Sequence, residues 1–156
     1  MIKVRHAEPG DVDEVLELAR SAWSEGRYSR LSFDEAKARS HFYALSESAD
    51  GCVLVAENEV GLVGFMAGLA TEFFFAPQRR ALEIVMFVEP EHRKSWAGIR
   101  LVNAFLAWAE SRDVVEIEVG VSIGIEDEQA VKFYERLGFA KGAHHQLLWR
   151  GPYVRA

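Results

Sequence analysis

Two periodicities alternate along the chain, and the points where one gives way to the other divide it into elements. Residues 2–7, IKVRHA, alternate apolar with polar in the manner of a half-buried strand. From Gly10 the period becomes helical, placing Val12, Val15, Leu16, Ala19 and Trp23 on one face. Asp11 followed by Glu14 predicts a capping box at the start of this helix. Ser32 followed by Glu35 predicts another ahead of a second helix, FDEAKARSHFYAL. The polar stretch SEGRYSRLS between them reads as a loop.

A β block follows. CVLVAE and LVGFMAGLA are strand-like and are joined by NEVG, a hairpin turn, while TEFFFAPQRR leads to a third strand, ALEIVMFV. A helix is predicted from about Ser95 to Ser111, with Leu101, Val102, Phe105 and Ala109 as its buried stripe. VVEIEVGV alternates as a strand. DEQAVKFYERLGFA is a helix ended by Gly138, with Ala130, Phe133 and Leu137 buried, and FAKGA and HHQLLWR close the chain as strands. The predicted order is β-α-α-β-β-β-α-β-α-β-β, a mixed α/β fold with a central sheet of about six or seven strands flanked by helices. The passage from residue 81 to 121 should be a right-handed crossover between parallel strands.

Composition changes this picture little. A length of 156 residues suits one domain over 1–156, with neither repeat nor linker. No apolar run reaches membrane-spanning length, the first residues lack the apolar stretch of a signal peptide, and Cys52 is the single cysteine. Those features suggest a cytoplasmic protein with no membrane partner. The net charge of −6 argues against nucleic acid as a partner and is compatible with a cationic substrate. No Cys/His cluster has metal-ligand spacing, and His144 and His145, adjacent on a strand, would face opposite ways, so no metal site is expected.

Three places carry candidate chemistry. In FVEPEHRKSWAGIRLV, a strand runs through Pro90 into a turn and then a helix, whose first N–H groups lack intrahelical partners and form an anion site. Arg93 and Lys94 add charge there, and Ser95 can cap the helix or donate to a phosphate oxygen. Trp96 stands where close approach of a ligand would favour glycine. The same segment also reads as a solvated turn with an ordinary cap. Glu83 lies in the apolar strand LEIVMFV, where alternation groups it with Val85 and Phe87 unless a bulge intervenes. A carboxylate there needs a partner, a water or a function, or else lies at the exposed start of the strand. Tyr134 adjoins the apolar stripe of the last helix, where a core tyrosine with one satisfied hydroxyl is the plain alternative.

VEPEHRKSWAG resembles the V-x-P-x-x-R-x-x-G-x-G/A signature of the GCN5-related N-acetyltransferase (GNAT) superfamily, and DEQAVKFYERLGF resembles its N-x-x-A-x-x-x-Y-x-x-x-G-F signature. The element order is similar over nearly the whole length. The resemblance implies transfer of an acetyl group from acetyl-CoA to a primary amine by direct attack in a ternary complex, the acceptor being a small molecule or a peptide. It assigns Glu83 as general base and Tyr134 as the acid that protonates the leaving thiolate. It assigns backbone groups around Phe87 and Val88 to the pantetheine and thioester carbonyl. It makes Arg93, Lys94, Ser95, Trp96, Ala97, Gly98 and Ile99 the pyrophosphate turn. Asp127 stands where the family has Asn; a carboxylate accepts the pantetheine amide bond but cannot donate one. The alternatives are a non-catalytic acyl-CoA-binding module on the same fold, and an interaction protein dimerising through Phe73–Phe75 and Trp149.

Overall fold

A computed structural model of the chain describes residues 1–120 and 127–142, the side chain of Asp127 excepted. Five strands form one sheet in sequence order: β1 (Lys3–His6), β2 (Gly51–Glu57), β3 (Leu62–Phe73), β4 (Ala76–Val88) and β5 (Val114–Glu118). The first four are mutually antiparallel, and β4 pairs with β5 in parallel. Helices α1 (Val12–Glu25) and α2 (Glu35–Glu47) precede β2, α3 (Ala97–Glu110) joins β4 to β5, and α4 (Asp127–Arg136) follows.

The sheet has a core on each face. On one, Val12, Val15, Leu16 and Leu18 of α1 and Phe42 of α2 pack against Val53, Val55, Phe65, Ala67 and Phe87. On the other, Leu101, Val102, Phe105 and Ala109 of α3 pack against Leu54, Met66, Ala81 and Val88, with Tyr134 of α4 in the same cluster. The predicted stripe of α3 is therefore the buried one. β2 is covered from both sides, which is why Gly51–Ala56 is buried throughout and reads as an apolar run. Cys52 lies in this core, and burial pushes its thiol up to about 12.

Several boundaries differ from the sequence expectation. The Asp11 carboxylate does not cap α1 forward. It accepts the Glu8 N–H at 2.7 Å and a pair of bonds from Arg5, while Glu14 accepts the Leu62 N–H at 3.0 Å. Asp34, not Ser32, caps α2, accepting from the Lys37 N–H at 3.0 Å. The connection TEFFFAPQRR is largely strand: β3 and β4 extend past the core into a hairpin arm turning at Phe74–Phe75, both almost fully exposed. Phe73 is held back by the Arg80 guanidinium, 5.1 Å above its ring. β5 ends at Glu118, short of its expected length. Residues 139–142 are not in a strand, so the sheet has five strands among the described residues rather than six or seven. The last expected strand, HHQLLWR, and with it Trp149, lies outside the described residues.

Candidate active site

The site begins with a glycine in β3. Along the β3–β4 ladder, Ala67 faces Val85 but Gly68 faces Glu83, so Ile84 is an extra residue on β4 and the ladder carries a bulge. The bulge reverses the alternation. Val85 and Phe87 face α1 and α2, while Glu83 shares the opposite face with Ala81, Met86 and Val88. Gly68 is required at this point: a Cβ there would stand 2.4 Å from Phe105 and 2.8 Å from the Leu82 carbonyl oxygen. Of the two placements open from sequence, the bulged one holds: one inserted residue parts Glu83 from Val85 and Phe87.

Glu83 also marks the place where the sheet opens. Pairing between β4 and β5 runs from Arg79–Val114 to Leu82–Glu118 and stops, although β4 continues to Val88. The Glu83 carboxylate spans the gap, accepting the Gly120 N–H at 2.7 Å. Burial pushes its pKa up to about 7, partly opposed by that hydrogen bond. Glu118, one residue beyond Ile117, instead pairs with Arg80 at 2.7 Å.

Tyr134 approaches the same face from α4. It is 7% exposed, more buried than the Ala130, Phe133 and Leu137 positions expected to form the stripe. Its ring meets Phe133 and Phe139 edge-on, and its hydroxyl contacts the Met86 sulfur at 3.4 Å. Burial and the nearby Glu83 charge both raise its pKa, keeping the phenol protonated.

Beyond the bulge, the Glu89 N–H bonds the Val63 carbonyl at 2.9 Å. By strand alternation the backbone of Phe87 also faces β3, and that of Met86 and Val88 faces the open edge. Of the two residues expected to offer backbone groups in the opening, Val88 is so placed and Phe87 is not; Met86 takes its place.

The turn after β4 is a single 3-10 turn, Pro90–His92, followed by α3. The helix starts at Ala97, two residues later than expected, with Trp96 as its N-cap and Ser95 still in the turn. The Ser95 hydroxyl donates to the His92 carbonyl at 2.6 Å and accepts the Ala97 N–H at 3.1 Å. The N–H groups of Gly98 and Ile99 lie in the first turn, where no helical carbonyl can reach them; the Arg100 N–H takes the Trp96 carbonyl. Trp96 has ordinary right-handed dihedrals, φ −76° and ψ 0°, and is 66% exposed, so its indole stands clear of the turn. Lys94 is exposed. Arg93 turns away from the helix start. It donates to the Val88 carbonyl at 3.1 Å, forms two bonds to Glu25 of α1 at 2.7 and 2.6 Å, and lies over the Phe87 ring. The backbone of Asp127 opens α4, and its side chain lies outside the described residues.

Sequence reasoning missed Gly120, Met86 and Glu25. An isolated glycine inside a strand signals a bulge, so Gly68 was the available clue to the placement of Glu83. Among the described residues, no three His, Cys, Asp or Glu side chains converge as metal ligands, and no helix is long and apolar enough to cross a membrane.

The sequence model described as Acetyltransferase (GNAT) family matches residues 12–139. An uncharacterised N-acetyltransferase of Methanocaldococcus jannaschii is 30% identical over 138 residues, covering 87% of this chain and 59% of that protein. The chain thus spans about three fifths of this relative's length. A Bacillus halodurans protein described as a transcriptional regulator has the same fold, with a TM-score of 0.78 at 20% identity over 97% of this chain and 100% of that one. So does AAC(6′)-Iy, solved with a bisubstrate analogue of CoA and acetylneamine, with a TM-score of 0.77 at 13% identity over 97% and 99%.

Proposed function

Because the chain belongs to the acetyltransferase (GNAT) family, we propose that it moves an acetyl group from acetyl-CoA to a primary amine by direct attack. The observation that carries this reading is the position of Glu83: a carboxylate raised to about 7, at the point where β4 and β5 part, on the face shared with Tyr134.

The donor has places to bind. The free first-turn N–H groups of Gly98 and Ile99 suit a pyrophosphate, and the open edge at Met86 and Val88 suits an amide-bearing arm. Acetyl-CoA would supply the activated acyl group. Glu83, near neutrality in pKa, is matched to accept a proton from an ammonium, directly or through a water. The backbone N–H groups of Met86 and Val88 face the opening and can stabilise negative charge developing there. Tyr134, held protonated, has a proton to give a departing thiolate.

Release of free thiol from acetyl-CoA across a panel of primary amines tests the reading. Glu83→Gln should lower kcat/KM about 10²-fold or more, since it removes the base but keeps an oxygen for the Gly120 N–H. Wild-type protein that binds acetyl-CoA yet transfers to no amine would leave a binding module on the same fold. Cytoplasmic location, a domain spanning 1–156 and a homodimer are consistent further proposals, the last open to sedimentation analysis.

A further inference from the structure

Between α1, α2 and the sheet, on the face opposite α3, lies a groove of about 360 Å³. Trp23, Phe33 and Phe42 form its walls and Phe65, Ile84 and Val85 its floor. No carboxylate, lysine or arginine lines it among the described residues. Several charges around it are paired with one another: Arg20 with Glu35 at 3.0 Å, Arg39 with Asp13 at 2.8 Å, and Arg93, from the turn before α3, with Glu25 at 2.6 Å. Phe33 is fixed by the Trp23 ring 5.8 Å away and by the Arg20 guanidinium above its face.

The groove and the candidate site meet at neighbouring residues of β4. Ile84, the inserted residue of the bulge, lies on the groove floor and is 41% exposed. Its neighbour Glu83 is turned through the sheet to the opening between β4 and β5. The chain therefore passes from an apolar floor to the carboxylate within about 3.8 Å of backbone. α3, whose first-turn N–H groups suit the donor, packs on the other face of the sheet, so the groove lies on the face that a donor bound there leaves clear.

We propose that the groove takes the apolar arm of the acceptor, so that the acceptor is a primary amine carrying one aromatic or branched alkyl group and not a polycation. The proposal rests on the transferase reading above. A polyamine or aminoglycoside would bring further ammonium groups against Trp, Phe and Ile side chains with no carboxylate to receive them, and desolvating an unpaired charge is costly. An arylalkyl amine would bury its ring there and extend its single nitrogen past Ile84 toward Glu83. The acidic net charge of the chain, which suggested cationic acceptors broadly, is not expressed in this groove.

The test is calorimetric titration of 2-phenylethylamine and of spermidine into the protein, with and without saturating CoA, alongside thiol release from acetyl-CoA with each amine. The expected result is 2-phenylethylamine binding at least about ten-fold tighter than spermidine. Ala38→Trp, which fills the groove from α2, should weaken that binding about ten-fold while CoA affinity stays unchanged. If thermal melting shows Ala38→Trp to be unfolded, Phe33→Ala serves instead, with an expected weakening of about three-fold or more. Spermidine binding as tightly as 2-phenylethylamine, or a folded groove variant with unaltered affinity, overturns the proposal. Spermidine acetylated while 2-phenylethylamine fails to bind would overturn the apolar-acceptor assignment and leave the transferase reading standing. Selective binding of 2-phenylethylamine with no thiol release from any amine would overturn the transferase reading, and the acceptor role with it.

Discussion

At Glu83, ionisation is opposed by burial and favoured by a single N–H, and burial wins. Between its ordinary value of 4.5 and the folded value of about 7, the folded chain holds a proton that the unfolded chain has lost. Stability from this group is therefore present at acid pH and falls as pH rises through 7. Activity should move the other way, with kcat/KM rising with pH through about 7 as the base is freed. Glu83→Gln should abolish that limb of the profile. It should also raise the melting temperature at pH 8 more than at pH 5, as paired thermal melts would show. Tyr134→Phe separates chemistry from packing. The hydroxyl has only a sulfur contact at 3.4 Å, so stability should change by less than about 1 kcal/mol, while turnover falls sharply. A melt and a thiol-release assay on the same preparation check both parts; loss of stability with intact turnover would make Tyr134 a core residue only.

At the scale of elements, the bulge and the turn decide what the strands present. Gly68→Ala forces a methyl into Phe105 and the Leu82 carbonyl, and should cost about 2–4 kcal/mol in chemical denaturation. It should also remove activity in whatever fraction remains folded, because the bulge aims Glu83. The turn before α3 is tied to α1 by the Arg93–Glu25 pair, and Arg93 also occupies the Val88 carbonyl on the open edge. Glu25→Gln frees one side of that tie. Acetyl-CoA affinity should change in this variant and not in a control about two turns earlier on α1, such as Glu17→Gln, as calorimetry can read. Trp96→Gly should leave donor affinity within about three-fold of wild type, since the indole already stands in solvent; a larger gain would mean that it closes the site.

For the molecule as a whole, the two cores on either face of the sheet set stability. Leu101 is fully buried between α3 and the sheet, and Leu101→Ala should cost about 2–5 kcal/mol, measured by urea denaturation. Cys52, in the same core with its thiol raised to about 12, should resist aromatic disulfide reagents in the folded protein and react only on global unfolding. Labelling at the rate of local fluctuation instead would show that the β2 core opens independently.

The periodicity of the chain determined the order of strands and helices as far as α4, the buried stripe of α3 and the burial of Cys52, because each depends on local pattern and on which residues avoid water. The family resemblance rested instead on the residues of two short segments, 88–98 and 127–139, and it is this resemblance that pointed to Glu83 and Tyr134. Capping was less legible: Asp11 and Ser32 fit a local signature, but a carboxylate takes whichever donor the fold brings nearest, and for Asp11 that includes Arg5 from another element. The hairpin arm was hidden because aromatic and basic residues suit a loop as well as an exposed strand. The face on which Glu83 lies was beyond the sequence, since one inserted residue at Ile84 reverses it, and only the ladder with β3 fixes that register. Tertiary structure alone decided that β4 and β5 part at Leu82, that Glu83 spans the opening to Gly120, and that an apolar groove ends beside it. Each is a relation between segments far apart in the chain, set by packing on both faces of the sheet, and no local pattern carries it.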